Sequence, residues 1–246
     1  MRTLAISIGN TSLFAGVFSG PRLVRAFRLE AKELISLPGR ARGAIDAAVV
    51  CSVVPALTPD VLRLIRRAWG IEATQLTAAS AHGLKIGYRD PRELGADRVA
   101  AALGAREKFP HANVIVVDCG TATTVTALRR DGTICGGAIL PGMGLWAEML
   151  AGRTAQLPRV SLARPRGALG RSTREGIAAG VFFGHVGAVR ELVGRVRREA
   201  FGRAKAVAVG TGGSAALFRR EGVFDGLEPN LVLLGLRGFA EQREAR

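Results

Sequence analysis

With 246 residues, 48% hydrophobic and 5% aromatic, the chain can build one large core or two small ones rich in Ala, Val, Leu and Gly, which suits an α/β protein. Its formal charge of +15 arises from 35 Lys and Arg against 20 Asp and Glu. Only four of those cations are Lys, and the arginines run from Arg2 to Arg246 with no long basic tail or interleaved aromatics. That pattern argues against specific nucleic-acid binding and for attraction to anionic substrates.

The chain opens with an apolar strand from Arg2 that runs into Gly9-Asn10-Thr11. This turn interrupts the apolar run, so no signal peptide is expected. Ser12 to Phe18 and Arg22 to Leu29 read as two further strands about a Ser19-Gly20-Pro21 turn. Ala31 to Leu37 is a short helical piece that Pro38-Gly39 is expected to end. Ala44 to Val54 ends as a buried strand with Ser52-Val-Val-Pro55 at its mouth. A helix follows with Thr58 and Asp60 as capping candidates and Gly70 as its stop, then a short strand from Ile71 to Leu76.

Leu84 to Pro91 reads as a loop carrying Tyr88, and Gly95 precedes a helix running to Phe109-Pro110. Asp97 and Arg98 sit in its first turn, where the dipole favours a carboxylate and free N–H groups can hold an anion; an ordinary helix start gives the same pattern.

Asn113 to Leu128, continued to Pro141-Gly142, is the most informative stretch. An apolar run ends in Asp118, Gly120 and Thr121 follow, and an Arg129-Arg130-Asp131-Gly132 hairpin leads to a third run. Carboxylate, glycine and hydroxyls meet in one turn, where a phosphate or cation can bind. The pattern of strand, Gly-Thr turn, strand, hairpin and strand repeats that of the N-terminus about half a chain away, so a duplicated domain is expected.

A Gly137-to-Gly144 turn leads to a helix over Leu145–Leu150, and Thr154 to Leu169 is irregular. A long helix then runs to about Phe201, with Thr173 as either its N-cap or a substrate contact. Gly176, Gly180, Gly184 and Gly187 recur on it, and a helix of the same fold is expected against that face. Ala206 to Gly213 is a strand entering a glycine turn and a helix to Phe218; Asn230 to Glu241 is a closing helix. No apolar run approaches the roughly 20 residues of a membrane span. Cys51, Cys119 and Cys135, with His82, His111 and His185, are scattered, which indicates neither a disulfide framework nor a zinc site and points to a reducing cytoplasm.

Taken jointly and in order, Gly9-Asn10-Thr11, Ser52-Val-Val-Pro55, Gly95-Ala-Asp97-Arg98, Asp118-Cys-Gly120-Thr121, Gly136-Gly-Ala-Ile-Leu-Pro-Gly142, Ser172-Thr173 and Gly212-Gly213 resemble the type III pantothenate kinases of the acetate and sugar kinase/Hsc70/actin superfamily. The resemblance implies two ribonuclease-H-like lobes of duplicated βββαβα units, over 1–112 and 113–246, with a nucleotide cleft between them and a closing helix able to pack back on the first lobe. It implies a homodimer that transfers the ATP γ-phosphate to pantothenate, the first step of coenzyme A synthesis, with Mg²⁺ and a monovalent cation, K⁺ or NH₄⁺.

By motif position, Ser7, Ile8, Gly9, Asn10, Thr11, Ser12, Leu13 and Phe14 would hold the ATP phosphates, and Thr121 the nucleotide. Asp97 would accept the proton, with Tyr88, Gly95, Ala96, Arg98 and Thr173 around pantothenate and Asp118 on the monovalent cation. One position departs from the family. Its first motif reads Asp-x-Gly-Asn-Thr, and Ser7 stands where the aspartate is expected to organise Mg²⁺. A neutral hydroxyl is a poorer ligand for a hard dication. Two outcomes are open: a kinase with altered metal dependence, or a catalytically impaired homologue acting as a regulatory or accessory protein.

Overall fold

A computed structural model of the chain describes residues 1–80 and 83–244; His82 lies outside them. The chain forms two compact units, Met1–Pro110 with Gly132–Ile134 and Asn230–Arg246, and His111–Asp131 with Cys135–Pro229.

In the first unit β1 (Arg2–Ile8), β2 (Leu13–Ser19) and β3 (Arg22–Leu29) form an antiparallel meander. β4 (Ala47–Ser52) joins β1 in parallel and β5 (Thr74–Leu76) joins β4, giving the order β3-β2-β1-β4-β5. The central β1 buries both faces, which is why Leu4, Ala5 and Ile6 form a continuous apolar run; edge strand β3 alternates exposed and half-buried positions instead. A 3₁₀ turn over Ala31–Ser36 leads into α1 (Leu37–Ala41). Pro38-Gly39 therefore lies inside a helix rather than ending one: proline in the first turn loses only an N–H that is unpaired there anyway. α2 (Thr58–Trp69) starts after Leu57, and Thr58 Oγ1 donates to the Val54 carbonyl rather than capping the helix. Gly70, at φ 70°, ends it. Val61 and Ile65 on α2 pack with Leu4, Ile6 and Ile8.

The loop before the next helix contains a two-residue strand, β6 (Lys85–Ile86), which pairs in parallel with Thr133 and Ile134. α3 (Ala96–Lys108) follows from the N-cap residue Gly95.

The second unit repeats the first. β7 (Asn113–Cys119), β8 (Ala122–Leu128) and β9 (Thr133–Pro141) are sequential neighbours, and after α4 (Met143–Arg153) and α5 (Thr173–Phe201), β10 (Ala206–Thr211) lies parallel to β7. A 3₁₀ turn, Ala215–Phe218, replaces the expected helix, and a two-residue β11 (Gly226–Leu227) completes the order β11-β10-β7-β8-β9. α5 is long and apolar enough to cross a membrane by length and composition, with an 18-residue window of mean hydropathy 1.3, so the expectation of no such run is corrected. It is a core helix: Ile177, Val181, Phe182, Val186, Val189 and Val193 pack on Ile115 and Val117 of β7. The glycine face of α5 meets a helix of the same fold at one position only. Gly184 lies against the Trp146 ring of α4 and Gly176 against the Gly170 backbone, while a Cβ on Gly180 or Gly187 would meet nothing within 4 Å.

α6 (Leu231–Glu244) belongs to the first unit and lies against α3, β1 and β4. Its contact with α3 is set by two glycines. A Cβ on Gly104 would collide with the Leu231 carbonyl oxygen, and one on Gly235 with the Ala100 carbonyl oxygen. The two backbones meet directly, and the half-exposed Glu107 pairs with the buried Arg237 across the same seam.

Candidate active site

In the first unit, residues 9–12 connect β1 to β2, and Gly9 N–H donates to the Ser12 carbonyl at 3.1 Å. The turn lines a cavity of about 230 Å³ with Leu13, Ala31, Val54 and Leu57. Backbone N–H groups and the side chains of Asn10, Thr11 and Ser12 suit an anion here, because a turn of this kind presents donors without a carboxylate. Ile8 is buried, and the Arg28 guanidinium lies 4.1 Å over the Phe14 ring.

Ser7 pairs with Phe14 on one side and, in parallel register, with Cys51 on the other. Burial pushes the Cys51 thiol up to about 12; the neighbouring Ser7 hydroxyl offsets part of that rise and the Asp97 charge adds to it. Ser7, Cys51 and Asp97 therefore form one neighbourhood. Cys51 was not singled out in the sequence, where it is only one apolar position in a strand.

Asp97 is the second residue of α3 and is half-buried. Burial raises its carboxyl above the usual 3.8, against the opposing pull of the Arg98 backbone N–H, which donates to Asp97 Oδ1 at 2.8 Å, and of the Arg98 charge. A carboxylate raised in this way is a stronger base than an exposed one. A side chain on Gly95 would lie 2.5 Å from Asp97 Oδ1, so glycine there keeps the carboxylate uncovered. Arg98 is buried with its guanidinium carbon 5.5 Å from the Tyr88 ring centroid. Next to Asp97, Ala96 lines a cavity of about 440 Å³ with Ser52, Pro55, Thr58 and Gln75. Ser52 Oγ accepts from Val54 N–H at 3.0 Å and from Thr58 Oγ1 at 2.7 Å, which fixes the mouth of β4.

In the second unit, Asp118 pairs with Thr124 and Thr211 near the end of β7. Gly120 and Gly212 lie beside its carboxylate, and Gly142 packs on the turn at Gly120 and Thr121. Gly120 N–H donates to Ala122 O at 3.1 Å, and Gly142 N–H to Thr121 O at 2.9 Å. A Cβ on Gly142 would strike the Gly120 and Thr121 carbonyls, and one on Gly212, at φ +87°, would strike Asp118 Oδ1. Asp118 Oδ1 thus lies against the Gly212 backbone, and a carboxylate oxygen is the kind of ligand a hard cation takes. Cys119 is 1% exposed, and burial pushes its thiol up to about 12, as expected of a small buried hydrophobe. His185 is fully buried; its Nε2 shares a 3.0 Å hydrogen bond with Thr123 Oγ1, and burial lowers its pKa so that it stays neutral.

Thr173 is exposed and is the first residue of α5; Ser172 is the N-cap, with its hydroxyl accepting from Glu175 N–H at 3.2 Å. The choice between cap and contact is thereby narrowed, since the cap is Ser172. Among the described residues no group of three or more His, Cys, Asp and Glu could hold a metal ion. The Ser7 position thus offers Mg²⁺ a hydroxyl and no carboxylate of its own.

A family profile described as type III pantothenate kinase matches residues 3–195. The chain is 38% identical to a type III pantothenate kinase from Legionella pneumophila (strain Corby) over 246 residues, covering 95% of this chain and 96% of that one. It is 37% identical to the type III pantothenate kinase of Geobacter sulfurreducens, covering 97% and 98%. Among solved structures, a Campylobacter jejuni protein described as a Baf family transcriptional activator superposes with a TM-score of 0.65 at 18% identity, covering 99% of this chain and all of that one. A ROK family glucokinase from Streptomyces griseus gives 0.52 at 14% identity, covering 98% and 100%. At such identities the structures share the fold alone. The match over residues 3–195 and the relatives at 37–38% identity carry more, and the chain belongs to the type III pantothenate kinase family.

Proposed function

We propose that this protein transfers the γ-phosphate of ATP to the hydroxyl of pantothenate, giving 4′-phosphopantothenate and ADP at the first step of coenzyme A synthesis. The observation that carries the proposal is Asp97: half-buried at the start of α3, with burial raising its carboxyl and Gly95 leaving it uncovered. A primary alcohol attacking phosphorus must lose its proton, and a positioned carboxylate of raised pKa takes it.

Arg98 supplies a fixed cation for the pantothenate carboxylate, braced on Tyr88, with Gly95, Ala96 and Thr173 as further contacts. The segment Ser7 to Phe14 holds the ATP phosphates through its turn, and Thr121 contacts the nucleotide. Asp118 would hold K⁺ or NH₄⁺, a cation that would supply positive charge to the reaction. Because Ser7 gives Mg²⁺ no carboxylate, the dication would rest mainly on the ATP phosphates and its own waters, without the one or two protein carboxylates such sites commonly supply. In this reading the enzyme is a cytoplasmic homodimer; the exposed Gly180 and Gly187 on α5 leave room for a second copy, and a step of coenzyme A synthesis is in keeping with the cytoplasm. No observation favours a silent regulatory homologue.

The test is ADP release by purified protein with ATP, Mg²⁺ and K⁺, with and without pantothenate, beside Asp97→Asn. A pantothenate-dependent rate lost in the variant is expected. Folded protein without such a rate would overturn the proposal.

A further inference from the structure

Outside this machinery, the other end of the second unit's sheet carries a cavity of about 760 Å³. It lies where β7 and β10 begin, at Asn113 and Ala206, and where α5 has ended at Gly202. Asn113 and Asp118 are five residues apart on one strand. At ~3.3 Å per residue that is about 16 Å, so the cavity is separate from the carboxylate turn of the same unit.

Its lining is cationic. Arg130, Arg197, Arg203 and Lys205 border it against one carboxylate, Asp225. That carboxylate is engaged, since Asp225 Oδ2 accepts from Ala208 N–H at 2.7 Å and lies 3.6 Å from Arg197 Nη2. Arg197 Nε is buried with no hydrogen-bond partner. Among the described residues no carboxylate pairs with Arg130, Arg203 or Lys205. The frame is built rather than loose: the Asn113 amide donates to the Lys205 carbonyl at 3.1 Å and accepts from Arg130 N–H at 3.1 Å, so three segments distant in sequence are tied together. The negative end of α5 is covered too, because Arg129 donates to the Ala200 carbonyl.

We infer that this cavity is a second anion site, for a small molecule carrying a diphosphate or longer phosphate chain. Guanidinium groups pair with phosphate oxygens two at a time, and four cations around one carboxylate leave an excess that a single phosphate would not use. The volume is that of a small-ligand pocket, roughly 300–1,000 Å³. No Phe, Tyr or Trp lines it, so it lacks the stacking platforms that single-stranded nucleic acid uses.

Inorganic pyrophosphate at physiological salt is the probe. Hydrogen exchange should slow over residues 202–207 and 111–113 when it binds, and the double variant Arg203→Ala/Lys205→Ala should weaken binding at least tenfold. The same variant should keep its pantothenate-dependent ADP release, which shows that it folds. Protection confined to residues 7–14 or 118–121, or unchanged affinity in the variant, would overturn the site. Tighter, variant-sensitive binding of a single-stranded oligonucleotide than of pyrophosphate would overturn the small-molecule assignment.

Discussion

Ser7 and Asp118 occupy equivalent places in the two units. Each is the penultimate residue of a central strand, followed after one buried residue by the glycine of the turn, and each is flanked by an antiparallel neighbour and a parallel one. The second unit keeps an acid where the first has a hydroxyl. Restoring it with Ser7→Asp should lower the Mg²⁺ concentration for half-maximal rate by about tenfold, equivalent to ~1.4 kcal/mol. A new carboxylate beside Cys51 and Asp97 should also move the acid limb of the rate profile to higher pH, by like-charge repulsion. Mg²⁺ titrations at several pH values check both effects.

Asp97→Asn should lower kcat by about 10²- to 10⁴-fold, the usual worth of a general base. Its effect on stability has the opposite sign. Burial raises the folded-state carboxyl above 3.8, so the folded state binds the proton more tightly than the unfolded one. The wild type therefore loses stability as pH rises from about 3.8 through the raised value, and keeps that penalty above it. The variant has no such penalty. Thermal unfolding across pH should show Asp97→Asn gaining on the wild type toward neutrality and converging with it in acid.

Gly212→Ala should act on cation dependence. The residue has φ +87°, and its Cβ would displace the Asp118 carboxylate. The K⁺ concentration for half-maximal activity should rise several-fold, with the KM for pantothenate little changed. Steady-state rates over a K⁺ series in a sodium-free buffer measure this.

Gly104→Ala and Gly235→Ala should each destabilise the first unit by about 1–3 kcal/mol or more, because the added methyl meets backbone rather than a flexible side chain. Urea unfolding of each variant provides the figure. Gly152→Ala, in α4 with nothing within 4 Å of its Cβ position, is the comparison and should be neutral or slightly stabilising through helix propensity.

The strands around both turns were legible because each signal is local. An apolar run ending in Asp118-Cys119-Gly120-Thr121, or in Ser7-Ile8-Gly9, announces strand and turn within a dozen residues. The first turn of α3 was legible for the same reason, from Gly95 and the apolar face after Asp97. Features that depend on tertiary partners were not. The glycines of α5 look like a packing seam but stand mostly open, whereas the tight seam uses the unremarked Gly104 and Gly235, 131 residues apart. The strands β6 and β11 are two residues long and exist only through their neighbours. The cationic cavity draws on residues near 113, 130, 197 and 205, and no window of sequence contains it.

The seam between α3 and α6 also bears on the order of synthesis. The helix that carries Asp97 is completed by residues from Leu231 onward, while everything the second unit needs has been translated by Pro229. A chain that ends before Leu231 therefore holds all of the second unit while the first still lacks its last helix, although the first begins at Met1. Chains released early would present a finished second unit beside an α3 whose glycine face has nothing to meet. A released chain truncated just before Leu231 should therefore be protease-resistant in its later half and cleavable in its earlier one, so that the unit begun first is the one left unfinished.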